Sequence, residues 1–323
     1  MKEIMVIANP VAGHGNGAKV LPALRHYLTE GGLDFDLVCT TRPLEAIELA
    51  KQAVTDGYRT TVAAGGDGTV HEVLNGLRAA TDDNQVAGTL GIIPIGSGND
   101  IAHMVGIPEN LLEACRCLAE GQNRVIDMGR LDDRYFANNI GMGFDAMVSI
   151  VSRRIKYLHG FPMYFLAVLQ TVFIYYKAPT VSITHDDQTT TQPILMATIG
   201  NGTRHGGGFF VTPLAEVDDG WLDLCIAREV SRPRIFALIP HFMRGTHVDK
   251  PPVTMLRCKR AVVTCDSGLA VHVDGEIYAE AARRLEIEIL PQQLRVVCGS
   301  ANGSCTSGHN RPKPFSISTR IIL

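Results

Sequence analysis

The stretch TTVAAGGDGTVHEVLNG, residues 60–76, changes its hydrophobic period halfway along. Up to Ala64 it is a continuous apolar run of strand length. From Val70 the apolar residues Val70, Val73, Leu74 and Leu77 recur at helical spacing. The residues between, Gly65-Gly66-Asp67-Gly68-Thr69, therefore form a strand-to-helix turn. Glycines let the backbone adopt left-handed conformations and let a ligand approach closely. The free N–H groups and dipole of the following helix favour an anion there. A carboxylate such as Asp67 repels phosphate, unless a divalent cation takes oxygen ligands from both. The alternative is a tight turn in which Asp67 makes only a local hydrogen bond.

Working outward, residues 4–8 (IMVIA) read as a buried strand stopped by Asn9-Pro10, with a helix pattern from Lys19 to Leu28. Gly13, Gly15 and Ala18 formally match a dinucleotide fingerprint. That fingerprint needs an acid at the end of the second strand. The second strand, Phe35–Cys39, ends in Thr40-Thr41 instead, and Asp34 and Asp36 sit at its start. No G-x-x-x-x-G-K-[ST] motif is present either, which excludes a Walker-type site. A helix over 45–56 and a strand over 89–94 follow, the strand leading into Ile95-Gly96-Ser97-Gly98-Asn99-Asp100. Strands alternating with helices predict a parallel α/β sheet. Ligands of such sheets bind at the carboxyl ends of the strands. The turns at 9–17, 40–41, 65–69 and 96–100 then share one edge, which favours a joint functional role for Asp67 and Asp100.

Near residue 125 the pattern changes. Val125–Gly129 is a short strand holding Asp127, and further short β-like runs follow at 134–140, 179–184, 194–200, 222–227, 260–265, 269–273, 284–290 and 294–298. They predict an antiparallel sandwich or barrel, interrupted by a helix over 162–176. The 323 residues set a prior of two domains, with the boundary at 128–133. Net charge is −3, which gives no basic field for nucleic acid. The eight cysteines form no C-x-x-C pair and lie mostly in apolar runs, as expected of reduced buried thiols. Phe161–Tyr176 is a 16-residue run without charge, short of the ~20 residues a spanning helix needs.

Five motifs in order, Asn9-Pro10, Gly65–Thr69, Gly96–Asp100, Asp218-Asp219-Gly220 and Asp274-Gly275-Glu276, resemble the diacylglycerol kinase catalytic-domain family, above all its soluble bacterial diacylglycerol and lipid kinases. Sphingosine and ceramide kinases are further relatives, NAD kinase and phosphofructokinase distant ones. The resemblance implies an α/β ATP-binding domain (1–130), an antiparallel β-sandwich lipid domain (131–298) with the active site between them, and a flexible tail (299–323). It implies that Asn9, Thr40, Gly65, Gly66, Asp67, Gly68, Thr69, Glu72 and Ser97 line the ATP site. Asp67, Asp100 and Asp127 would join through Mg²⁺ into one acidic network. A second, structural Mg²⁺ would be held by the Asp219 side chain and the backbone carbonyls of Glu216 and Trp221. The turn at 274–276 would carry the general base. Two departures stand out: Val11-Ala12-Gly13 follows Asn-Pro where a hydroxyl residue is frequent, and Ser97 replaces Thr.

The expected reaction is ATP- and Mg²⁺-dependent transfer of the γ-phosphate to a lipid hydroxyl, diacylglycerol giving phosphatidic acid. Phosphatidylglycerol, a sphingoid base, a prenol or a soluble acceptor such as NAD are the alternatives. Either Asp274 or Glu276 would take the proton. His71, in the first turn of its helix, is expected at the surface, with His205 and His272 flanking the cleft. Arg153, Arg154 and Lys156 before the apolar segment suit an anionic membrane surface; a core helix is the other reading of that segment. The expected setting is cytoplasmic, at the inner membrane face, with a membrane-presented lipid as partner and a homodimer allowed by the resemblance.

Overall fold

The computed structural model describes residues 3–82, 85–155, 158 and 160–299. The expected tail beyond Gly299, with Cys305, lies outside them, as do Lys156 and the side chains of Phe161 and Tyr164. The first half alternates strands and helices: β1 (Ile4–Ala8), α1 (Ala12–Glu30), β2 (Phe35–Cys39), α2 (Glu45–Thr55), β3 (Thr60–Gly65), α3 (Asp67–Ala79), β4 (Ala87–Pro94), α4 (Asp100–Met104) and α5 (Leu111–Glu120). Strands β2, β1, β3 and β4 pair in that order, all parallel. α1 starts earlier than its hydrophobic pattern predicts, because a left-handed turn at Gly13, His14 and Gly15 precedes its regular part. Asn110 caps α5 by accepting from the Glu113 N–H at 3.1 Å, which satisfies one of the helix's free donors.

The second half comprises β5 (Asn123–Leu131), β6 (Arg134–Phe136), β7 (Asn139–Gly143), α6 (Phe144–Arg154), α7 (Gly160–Gln170), a π-helical turn (Thr171–Tyr175), β8 (Thr180–His185), β9 (Gln188–Gly200), β10 (Leu222–Arg228), α8 (Arg232–Arg244), β11 (Val253–Cys258), β12 (Arg260–Val273) and β13 (Glu276–Val297). β8 pairs β9, β9 pairs β7, β7 pairs β12 and β12 pairs β8, so this antiparallel domain closes on itself. Its core holds Phe136, Ile140, Met142, Ile199, Leu224 and Val271, among others. The runs expected at 260–265 and 269–273 are one strand, and those at 284–290 and 294–298 belong to one 22-residue strand. β13 begins in the antiparallel domain against β12. It ends beside β4, in parallel, with Leu294 opposite Ala87. Leu294, Val296 and Val297 accordingly belong to the core of the first domain. The two sheets are thus one hydrogen-bonded network.

α7 together with the π-helical turn after it is neither all core nor all surface. Ala167, Val168 and Val172 are buried with α6 and α8, while Phe165 is 45% and Phe173 62% exposed. Among the described residues no helix is long and apolar enough to cross a membrane. No two of the seven described cysteines are joined by a disulfide.

α2 and α3 hold the phosphate turn from behind, and Gly76 sets their distance. A Cβ on Gly76 would lie 2.3 Å from the Ile47 carbonyl oxygen and 2.7 Å from Ala50 Cβ. Helix propensity alone favours Ala over Gly by about 1 kcal/mol. Overpacking costs about 1–3 kcal/mol, and here backbone must move. Gly76→Ala is therefore expected to lower the denaturant midpoint. A raised midpoint would refute this account of the contact.

Candidate active site

Because the first sheet is parallel, the turns after β1, β2, β3 and β4 meet at its carboxyl edge. Asn9 Nδ2 donates to Thr69 Oγ1 at 3.0 Å, tying the first turn to the start of α3. Glu72 accepts from the N–H groups of Leu44 and Ala46, both at 3.2 Å, so it fixes the start of α2 beside the site. Thr40 closes onto β1 through its N–H to the Ala8 carbonyl at 2.8 Å. Ser97 is exposed at the tip of its loop. That loop is closed by Asn99, whose side chain accepts from the Gly96 N–H and donates to its carbonyl. Asp67 accepts from the Ile101 N–H at 3.1 Å, which brings the two acidic turns together. Burial, with Asp100 alongside, pushes the Asp67 carboxyl up to about 6.

The second domain supplies the opposite wall. Asp100 accepts from Arg204 Nε at 2.7 Å and from the Gly207 N–H at 3.0 Å, and Arg204 also donates to the Gly98 carbonyl. Arg204 is thus a clasp between the domains. Asp67, Gly68, Asp100, Arg153, His205 and Glu276 are among the residues lining the resulting cleft.

The two acids of the 274–276 turn differ sharply. Asp274 is 4% exposed. Its Oδ1 accepts from the N–H groups of Asn138 and Asn139, both at 3.0 Å. Its Oδ2 accepts from the Ala137 N–H and from His71 Nδ1, both at 3.1 Å. Glu276 is partly exposed in the cleft, and Arg153 donates to its Oε2 at 2.6 Å. A Cβ on Gly68 would lie 2.5 Å from Glu276 Oε1, so this carboxylate rests directly over the phosphate turn.

Three expectations change. His71 is buried rather than exposed, because the face of α3 that carries it meets the second domain at Asp274. Arg153 faces the cleft rather than a membrane, because α6 ends at Glu276; Arg154 beside it is exposed. Asp127 lies within β5, accepts from the N–H groups of Gly220 at 2.6 Å and Gln292 at 2.8 Å, and so supports the 216–221 turn. His205 and His272 do not simply flank the cleft: both are buried around Asp145, a residue the sequence reading did not single out.

At the 216–221 turn, Asp219 accepts from the Trp221 N–H at 3.0 Å and pairs with Arg257. A third acid, Asp223, was missed by the sequence reading. Its Oδ2 is buried without a hydrogen-bond partner. Burial, with Glu216 near, pushes its carboxyl up to about 7. The sequence signal was weak, since Asp223 alternates with apolar residues in β10 like any strand residue.

Beside the acidic cleft is a narrow apolar cavity between α6, α7, α8 and β9, lined by Val148, Val168, Leu195, Ile235, Leu238 and Phe242, among others. His205 lines both spaces.

Comparison with known proteins agrees with this arrangement. The diacylglycerol kinase catalytic domain family matches residues 3–131. The YegS C-terminal NAD kinase beta sandwich-like domain family matches residues 138–298. A diacylglycerol kinase of Mycobacterium tuberculosis is 30% identical over 301 residues, covering 91% of this chain and 94% of that protein. A crystal structure of a diacylglycerol kinase from Bacillus anthracis superposes with a TM-score of 0.72 at 21% identity, covering 93% of this chain and 98% of that one. An ATP complex of an NAD kinase from Archaeoglobus fulgidus reaches a TM-score of 0.50 at 14% identity, covering 92% and 94%. The two structural likenesses speak for the fold alone. The family matches and the mycobacterial relative carry more: this chain belongs to the bacterial diacylglycerol and lipid kinase family, phosphotransferases with an alcohol group as acceptor.

Proposed function

We propose that this protein transfers the γ-phosphate of ATP to the hydroxyl of a membrane lipid, diacylglycerol foremost, giving phosphatidic acid at the cytoplasmic membrane face. The observation that carries this reading is the apolar cavity next to the acidic cleft. A soluble acceptor such as NAD has no use for an apolar slot at that place, whereas an acyl chain fills it. The exposed Phe165 and Phe173 on the same helical segment suit the membrane side.

Phosphoryl transfer needs in-line positioning, neutralised charge and a proton acceptor. The glycine turn at 65–69 cradles phosphate at the start of α3. Glu276, poised over Gly68, takes the proton from the acceptor hydroxyl. Asp274 does not, since both its oxygens already accept two hydrogen bonds; it holds the turn that presents Glu276. Arg153 stands beside Glu276, where it meets the transferred phosphoryl group. The carboxylates fit Mg²⁺: Asp67 is buried beside a second acid, and a cation there removes the resulting cost. Mg²⁺ bound through Asp67 and Asp100 would neutralise charge on the transferring phosphate. The 216–221 turn fits a second cation in the same way, with Asp223 adding an oxygen that accepts no hydrogen bond to Asp219 and to the carbonyls of Glu216 and Trp221.

The reading is tested by transfer of labelled γ-phosphate from Mg-ATP to a lipid panel in mixed micelles. Labelled phosphatidic acid is expected. Label on NAD alone would overturn the lipid reading. Glu276→Gln is expected to lower kcat about 10²–10⁴-fold with an unchanged melting temperature. Asp274→Asn is expected to lower the melting temperature itself, because an amide cannot accept all four hydrogen bonds. The reverse pattern would exchange the two roles.

The acidic pair also predicts a pH signature. The Asp67 pKa of about 6 lies above the ordinary 3.8, so the unfolded chain releases this proton first. Metal-free stability therefore falls as pH rises from about 4 to about 6 and stays lower above that. Asp67→Asn removes the titration. In chelator it is expected to melt roughly 5 °C above the parent at pH 8, with no advantage at pH 4. An equal difference at both pH values would exclude charge as the cause.

A further inference from the structure

Asp145, His205 and His272 form a buried cluster that phosphoryl transfer, as derived above, does not use. Asp145, in the first turn of α6, pairs through Oδ1 with His205 Nε2 at 3.3 Å and through Oδ2 with His272 Nε2 at 3.1 Å. The two imidazoles stack with centroids 4.4 Å apart and planes at 9°. Gly141 makes room for them: a Cβ there would lie 2.0 Å from His272 Nε2 and 2.3 Å from Asp145 Oδ2.

The protons can be assigned. The Gly275 N–H donates to His272 Nδ1 at 3.3 Å, so His272 keeps its one proton on Nε2 and is neutral. The buried carboxylate still needs a counter-charge, and His205 is the ring left to supply it. Burial works against charge on both rings. For His205 the Asp145 carboxylate, helped by Asp100 and Asp67, outweighs burial and pushes it up to about 9. His272 is held down by burial, and the neighbouring His205 acts in the same direction. A charged His205 carries a proton on each nitrogen. Nε2 is engaged by Asp145, whereas Nδ1 has no hydrogen-bond partner among the described residues. Its ring stands where the acidic cleft meets the apolar cavity.

We propose that His205 selects the acceptor: its Nδ1–H binds the carbonyl oxygen at the root of an acyl chain seated in the cavity. The free hydroxyl of the same lipid then turns toward Glu276. This rests on the lipid-kinase reading above and narrows it to esterified or amidated alcohols. A sphingoid base would bring its ammonium against an imidazolium. A prenol offers that N–H no acceptor beyond the hydroxyl that reacts.

The test compares diacylglycerol with its dialkyl ether analogue, which lacks the carbonyls, in identical mixed micelles. Wild-type protein is expected to prefer the ester in kcat/KM by about 10- to 100-fold, the range for a hydrogen bond to a charged group. His205→Gln places an amide where Nε2 stands, so it keeps Asp145 company and loses the donor at Nδ1. It is expected to raise the lipid KM, leave the KM for ATP unchanged and abolish the ester preference. His205→Asn retains an N–H near Nδ1 and is expected to keep most of the preference. Equal turnover of ester and ether by the wild type would overturn the proposal without needing any variant. So would a His205→Gln protein with wild-type preference and lipid KM. Wild-type protein that phosphorylates no lipid overturns the underlying kinase reading, and this assignment with it.

Discussion

The four hydrogen bonds accepted by Asp274 fix the geometry on which the site depends. Three come from consecutive backbone N–H groups, Ala137 to Asn139, and the fourth from His71 on α3. A carboxylate buried to this degree is tolerable only when its lone pairs are met. Each donor is therefore a constraint. The 274–276 turn cannot shift along the entry to β7, and α3 cannot turn away from the second domain. Asn75, one helical turn beyond His71, adds a reciprocal pair with the Tyr135 backbone at 3.0 Å in both directions. Glu276 is two residues from Asp274, and the phosphate turn ends two residues before His71. The register of the base against the phosphate turn thus follows from one buried anion.

Charge is distributed around this anchor by the same rule. Asp274 is satisfied by backbone donors and His71, Asp100 by Arg204 and Gly207, Asp145 by two imidazoles, and Glu276 by Arg153. Asp67 is the exception. It is met by backbone N–H groups at Ile101 and Asn99 and, among the described residues, by no cationic side chain, and two neighbouring carboxylates act on it. An acid held among like charges without a cation marks where an external cation belongs. At the 216–221 turn Asp223 Oδ2 accepts no hydrogen bond, with Arg257 Nε 3.7 Å away. Strain of this kind persists at working sites because binding removes it.

The nucleotide half was legible because its signals are local. Gly65–Thr69 and Gly96–Asp100 each end a strand and open a helix, and the right-handed parallel topology then puts both turns on one edge without further information. The rest depends on contacts between residues far apart in the chain. Asp145 and His272 are 127 positions apart, His71 and Asp274 203. No period or motif announces either pair. The apolar period of α3 placed His71 beside Val70 and Leu74 and so beside a buried face, but a second domain was needed to bury it. Asp127 also depends on distant contacts. It lies inside β5, and its carboxylate meets the N–H of Gly220, 93 positions along the chain. The two carboxylates at 274 and 276 could not be separated by sequence, since each role was decided by the neighbours that folding supplied.

The long strand β13 explains why such distant pieces keep a working register. It carries Glu276 at its first residue and, through Leu294–Val296, adds itself to β4 at its far end. β4 in turn ends at Pro94, two residues before the loop that delivers Asp100. The base and the acidic turns are therefore referred to one hydrogen-bonded network rather than to two bodies joined by a linker. In a two-body arrangement, bringing a proton acceptor to the phosphate turn would consume ordering free energy at each turnover. Here that ordering is completed on folding, which is the condition under which positioning lowers a barrier. What remains to be placed is the acceptor itself. Its chain, its carbonyl and its hydroxyl meet three successive environments along one wall: the apolar cavity, His205 and Glu276.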